Sequence, residues 1–186
     1  MPTRLVPVAA LLWMAVLGSA GLVQAQMDPA RPRRQPDIHY VPSPQYVVEG
    51  MLKLAGVTRD DVVYDLGSGD GRIPITAAKL FGARGVGIEL DPKLVAEARR
   101  NAERANVADR VRFIEGDIFE ADISGATVVT LYLLSSINER LRPRLLRDLA
   151  SGTRIVSHWF RMGDWEPDVS STVEKHPVWL WRVPAR

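Results

Sequence analysis

The chain has 186 residues, 46% of them hydrophobic and 25% charged, with a net charge of +2 and no cysteine. That is the length of one domain, at roughly 100–200 residues per domain, so two independent catalytic domains are excluded. A near-neutral balance gives no electrostatic footprint for nucleic acid, and the lack of cysteine removes disulfide frameworks, thiolate metal sites and Cys nucleophiles together.

The N-terminus reads as an address. Arg4 and the terminal amine precede Leu5–Val23, where 15 of 19 residues are apolar, and Val23-Gln24-Ala25 has the small-residue spacing of a cleavage site. Cleavage after Ala25 is the expectation, with residues 1–25 a signal peptide and the mature chain exported, either periplasmic or secreted. The alternative is an uncleaved membrane anchor, since 19 helical residues span about 28 Å. Arg31, Arg33 and Arg34 beyond it then favour a domain on the cytoplasmic side. Residues 26–39 form a Pro/Arg-rich linker without apolar period, and the main domain covers residues 40–186.

In that domain, Tyr40-Val41-Pro42-Ser43-Pro44 leads into a predicted helix over Gln45–Ala55, stopped by Gly56. Val62-Val63-Tyr64 is a short strand, and Ile73–Phe81 a helix that tolerates Pro74 in its first turn. Gly85–Leu90 is a buried strand. Asp91-Pro92 starts a helix, Asp as cap and Pro at the first position, with Leu94, Ala98, Ala102 and Ala105 on its inner face. Val111–Ile114 and Thr127–Leu133 are strands, Asn138–Leu149 a helix, and Arg154–Trp159 a fifth strand. Val173–His176 and Val178–Val183 are the expected late strands, packed by Trp165, Trp179 and Trp181. Alternating strands and helices imply a mostly parallel α/β sheet with helices on both faces.

The informative segment is Val62-Val63-Tyr64-Asp65-Leu66-Gly67-Ser68-Gly69-Asp70-Gly71-Arg72. A hydrophobic strand runs into an acid and then into glycine at every second position. Gly67 and Gly69 permit a tight turn with bare backbone for a ligand, and the helix that follows points its N-terminal amides at it. The dinucleotide fingerprint fails, because its sixth position is Arg72, and the Gly-Lys-Ser/Thr ending of a P-loop is absent. Two more carboxylates close later strands: Glu89, 22 residues after Gly67, and Asp117, in Glu115-Gly116-Asp117-Ile118. Taken singly, Glu89 also reads as a helix-capping acid and Asp117 as turn chemistry beside Gly116.

In these segments the chain resembles the class I S-adenosylmethionine (SAM) methyltransferases. The resemblance implies a Rossmann-like, seven-stranded, mostly parallel sheet and SAM as cofactor. It also implies roles. Gly67, Ser68, Gly69 and Gly71 form the turn, Asp65 lies near the methionine end, and Glu89 binds both ribose hydroxyls. Asp117 takes the adenine amine and Ile118 covers the ring. At the exit of the fourth strand, Leu131-Tyr132-Leu133-Leu134-Ser135 lacks the Asp/Asn-Pro-Pro-aromatic run of exocyclic-amine nucleic-acid methyltransferases, which counts against nucleic acid as acceptor. No set of acids and Asn there suits a metal.

The Tyr40-Val41-Pro42 lead-in, Asp-Leu-Gly-Ser-Gly-Asp-Gly-Arg, Trp165-Glu166-Pro167-Asp168 and Trp179 resemble the small seven-strand lysine methyltransferases that modify the ATP synthase c subunit, with bacterial and archaeal relatives. That resemblance implies transfer to a protein lysine. Tyr132, Trp159 and Phe160 are candidate walls of the acceptor channel, or ordinary rim aromatics. The histidines, His39, His158 and His176, are scattered without metal-ligand spacing. His158 is as readily a satisfied strand residue as a base, so no catalytic base is assigned. Small-molecule methylation, and a non-catalytic exported domain that binds SAM or a nucleoside, are the alternatives. Membrane association, if any, runs through residues 5–23.

Overall fold

The computed structural model describes residues 41–186. The expected leader, the linker and Tyr40 lie outside the described residues. Among the described residues, no helix is long and apolar enough to cross a membrane.

Eleven elements follow one another: α1 (Gln45–Leu54), β1 (Val62–Leu66), α2 (Arg72–Phe81), β2 (Arg84–Glu89), α3 (Pro92–Arg104), β3 (Val111–Glu115), β4 (Val128–Leu131), α4 (Ser135–Asp148), β5 (Arg154–His158), β6 (Val169–Val173) and β7 (His176–Arg182). The strands make one sheet in the order β3-β2-β1-β4-β5-β7-β6. Strands β1 to β5 pair in parallel, whereas β7 runs antiparallel to both β5 and β6. The expected seven-stranded, mostly parallel sheet is therefore present.

Period-two alternation assigns the two faces. Val63, Val128, Val156, Val178 and Leu180 pack under Val47, Val48, Met51 and Leu52 of α1 and Ile73 and Ala77 of α2. On the other face Leu66, Val129, Leu131, Ile155 and Trp181 pack with Ile137, Leu141 and Leu145 of α4. A third cluster joins α3 to β3 through Val95, Ala98, Ala102 and Phe113. Val95 is buried in that cluster, and Leu94 and Ala105 are only half-buried. Asp91 caps α3 as expected, accepting from the Lys93 N–H with Pro92 behind it.

Two expectations need correction. Val173–His176 is not a strand but the turn of the last hairpin. Val173 pairs with His176, and Glu174 has φ 54, the left-handed conformation a two-residue hairpin requires. The strand before it, Val169-Ser170-Ser171-Thr172-Val173, is an edge strand too polar to show as an apolar run. The helix expected from Asn138 begins three residues earlier, at Ser135, just beyond β4. The fourth strand ends at Leu131 and the fifth at His158, so Tyr132 and Trp159 are loop residues at strand ends.

Candidate active site

The sheet order reverses at β1. Its chain successor β2 lies on one side and β4 on the other, which opens a crevice beyond the carboxyl ends of β1 and β4. Asp65 and Thr130 stand opposite each other across that pair. Asp65 is 3% exposed, and its Oδ1 accepts the Thr130 hydroxyl at 2.6 Å. Burial pushes its pKa up to about 7, against the lowering effect of Thr130, and the charges of Glu89 and Asp70 add to the rise.

The glycine turn has the geometry its sequence requires. Gly67, Gly69 and Gly71 have φ of 81, 51 and 81°, in the region other residues rarely adopt. Gly67 and Ser68 N–H both donate to the Ile88 carbonyl, which anchors the turn to β2. Gly71 is the left-handed N-cap of α2. The Ser68 hydroxyl is turned inward toward Gly87, buried and without a hydrogen-bond partner, so its side chain supports the turn from beneath.

Glu89, at the end of β2, is 8% exposed. Its Oε2 accepts from Gly69 N–H at 2.9 Å, and its Oε1 accepts from Leu90 and Asp91 N–H at 2.8 and 3.0 Å. A carboxylate offers about four lone-pair sites. Three are engaged by main chain, which leaves one, on Oε2. Glu89 thus ties the glycine turn to the start of α3. Asp117 follows β3 and accepts the Phe119 N–H on Oδ1 at 2.9 Å, and Ile118 packs against the α4-side core.

Of the three candidate acceptor aromatics, Tyr132 and Phe160 stack near each other, and Trp159 meets the His158 ring edge-on. The Tyr132 ring lies 4.0 Å from the His158 ring and 6.1 Å from Phe160. Trp159 is 47% exposed at φ 67, in a turn closed by Phe160 N–H donating to the His158 carbonyl. An L-residue held there is strained, and further contacts hold the turn, among them the Ser157 hydroxyl donating to the Phe160 carbonyl at 2.7 Å. Trp159 N–H donates to the Pro177 carbonyl, the Trp179 indole donates to the Trp159 carbonyl, and the buried Asn138 amide reaches the Phe160 carbonyl.

Two of the three histidines, His158 and His176, come together, while His39 lies outside the described residues. His158 Nε2 and His176 Nδ1 lie 2.9 Å apart, and His158 Nδ1 is 2.9 Å from Ser43 Oγ. The antiparallel β5–β7 pair brings them together, and linear spacing does not show it. Ser43, Asn138, Thr130 and His176 are the residues that sequence reasoning missed. Among the described residues, no group of three or more His, Asp or Glu is placed to hold a metal ion.

This sheet, with its glycine turn and acidic strand ends, defines a class I SAM-dependent methyltransferase. Left-handed glycines leave bare backbone at the turn, and Asp65 sets a buried carboxylate near the end of β1. Residues 65–169 match the family model of the ANTKMT methyltransferase domain, and the chain belongs to that family. It is 47% identical over 153 residues to a protein-lysine N-methyltransferase of Saccharolobus islandicus, covering 80% of this chain and 95% of that one. It is 35% identical over 146 residues to the Xenopus laevis lysine N-methyltransferase of the ATP synthase c subunit, with 78% of this chain matched but 64% of the longer relative. A solved structure described as an RNA methyltransferase from Salinibacter ruber, in complex with S-adenosylhomocysteine, is 59% identical with a TM-score of 0.77, covering 78% of this chain and 95% of that one.

Proposed function

We propose that the enzyme methylates the side-chain amine of a protein lysine. The observation that carries this reading is the aromatic mouth of Tyr132, Phe160 and half-exposed Trp159 around an uncharged His158, set at the strand ends beside the Asp65 crevice. The names of the Saccharolobus and Xenopus relatives support it.

When bound, SAM supplies a sulfonium-activated methyl group. Asp65 would hold the cationic methionine end, Glu89 Oε2 a ribose hydroxyl, Asp117 the adenine amine and Ile118 the ring face. Gly67, Gly69 and Gly71 would let the backbone lie against the ligand, and Ser68 would brace the turn. The protein's work is alignment more than covalent help. A lysine reaching the aromatic mouth loses water, which disfavours its ammonium and favours the neutral amine that can attack.

The name of the Salinibacter structure favours RNA as the competing acceptor. Incubating the chain with tritiated-methyl SAM and cell extract separates the two. Protease-sensitive label that hydrolyses to methyllysine is the expected result. Label removed by ribonuclease overturns the lysine reading.

A further inference from the structure

Methyl transfer to a lysine requires the ammonium to lose a proton, and alignment alone gives that proton no way out and leaves two histidines unused. Four side chains from separate parts of the chain form one unbranched hydrogen-bonded line. Ser43 Oγ meets His158 Nδ1 at 2.9 Å, His158 Nε2 meets His176 Nδ1 at 2.9 Å, and His176 Nε2 meets Tyr46 Oη at 3.0 Å. The line runs from inside to outside. Ser43 is 3% exposed, His158 fully buried, His176 half-buried and Tyr46 42% exposed.

Its inner end borders the first turn of α2 and the Tyr132 ring. The His158 ring packs on Tyr132, and the Ser43 carbonyl accepts from Arg72 Nη1 at the first residue of α2. Trp159 sets its edge against both imidazoles at the outer side. Tyr132 and Tyr46 are the titratable side chains in contact with this line, and at its buried end Arg72, paired with Asp70 at 2.7 Å, meets the Ser43 carbonyl.

The chemistry of the line is that of a conductor. A nitrogen–nitrogen separation of 2.9 Å holds one proton, so one imidazole donates and the other accepts. The hydroxyls at both ends donate or accept freely. Every bond is therefore satisfied in two opposite senses, and passing between them moves one proton along each link. Burial, with the charge of His176 adding to it, lowers the His158 pKa to about 4, so this ring is neutral at physiological pH and carries a proton only in passing, taking one at Nδ1 as it gives one up at Nε2.

We propose that Ser43, His158, His176 and Tyr46 form the proton exit of the lysine reaction, an inference that rests on the lysine reading. One N–H bond of the acceptor ammonium breaks, and its proton passes to Ser43 Oγ as the serine's own proton passes to His158 Nδ1. The His158 Nε2 proton moves to His176 Nδ1, the His176 Nε2 proton to Tyr46 Oη, and the tyrosine's proton to water. Each group gains one proton and loses one, and a neutral amine remains with its electron pair free. Ser43 touches the amine. His158, His176 and Tyr46 act through it as positioning residues.

The test compares steady-state methylation of a lysine peptide by the wild-type chain, His176→Gln and Tyr46→Phe at pH 7 and pH 9.5, with SAM affinity measured separately. At pH 7, His176→Gln is expected to lower kcat about tenfold or more, with peptide KM and SAM affinity little changed. The deficit shrinks at pH 9.5, where more of the amine arrives deprotonated, and added imidazole restores part of it. Tyr46→Phe, an exposed change that spares the core, lowers kcat less, in the same pH-dependent way. If His176→Gln does not fold, Tyr46→Phe decides alone. Full kcat at pH 7, or the same fractional loss at both pH values, overturns the relay. A wild-type chain that transfers to no lysine peptide overturns the lysine reading and the relay with it.

Discussion

Thr130 donates its hydroxyl to Asp65 at 2.6 Å across the β1–β4 pair, so the buried carboxylate is held by a neutral partner. Burial raises its pKa to about 7. A ligand ammonium binds the ionised form, so binding releases a proton when Asp65 starts protonated. SAM affinity should therefore climb between about pH 6 and 7.5, then fall as the ligand's own α-amino group, with a pKa of about 7.7–8.0, is neutralised. Calorimetry in buffers of different ionisation enthalpy reads the released proton. A flat profile below pH 7.5 counts against Asp65 as the cation's partner.

The same carboxylate bears on stability, with the opposite sign to most acids. Its folded-state pKa lies above the unfolded 3.8, so the folded chain holds the proton more tightly. The unliganded protein then loses stability as pH climbs from about 4 to about 7, on the order of 3–4 kcal/mol at most. Asp65→Asn keeps the Thr130 hydrogen bond and removes the charge. In urea unfolding without ligand, the variant should match wild type near pH 4 and exceed it at pH 8, while SAM affinity collapses. Equal stability at pH 8 would show that Asp65 is not the strained group.

Glu89 is expected to be intolerant even of its isosteric amide. Three main-chain N–H groups point at its two oxygens. In Glu89→Gln one oxygen becomes an NH2 facing a donor, so the variant should lose thermal stability nearly as much as Glu89→Ala. Both should bind SAM more weakly by a few kcal/mol, from lost charge-assisted hydrogen bonds. A stable Glu89→Gln chain with normal affinity refutes the bridging role assigned to it.

What was legible in the sequence was whatever rests on local periodicity or on special backbone. Short apolar runs placed the strands of the parallel half, and spaced glycines announced a tight turn that φ values at Gly67, Gly69 and Gly71 bear out. Asp91-Pro92 spelled a helix start because a cap is a contact between near neighbours. The polar edge strand β6 was illegible, since an edge facing water has no apolar run to read. The histidine pair was illegible for another reason. His158 and His176 are 18 residues apart, and only the antiparallel register of β5 on β7 sets them side by side. Thr130 was silent likewise, because its meaning lies in the strand opposite.

Two glycines with the same backbone separate the cost of φ from the cost of space. Gly71 and Gly152 have φ of 81 and 83°. A Cβ on Gly152 meets nothing within 4 Å, whereas one on Gly71 falls 2.5 Å from Phe113 Cζ and 2.8 Å from Ala98 Cβ. Gly152→Ala should cost about 1–2 kcal/mol in denaturant unfolding, the backbone term alone. Gly71→Ala should add overpacking of about 1–3 kcal/mol and displace the N-cap of α2. Equal losses would mean that the Phe113 ring yields freely.

Trp159 offers the sharpest separation of function from folding. Its backbone at φ 67 suits glycine, its indole is 47% exposed, and its main-chain N–H and carbonyl contacts survive any substitution but proline. Trp159→Gly relieves a left-handed strain of about 1–2 kcal/mol and gives up only part of an indole's burial. The variant should melt within a few degrees of wild type and bind SAM equally well. Its indole stands beside the aromatic mouth, so the acceptor should feel the loss, with KM for a lysine peptide rising about tenfold. Side-by-side melting curves, SAM titration and peptide kinetics decide it. An unchanged peptide KM removes Trp159 from the acceptor wall and leaves it a rim aromatic.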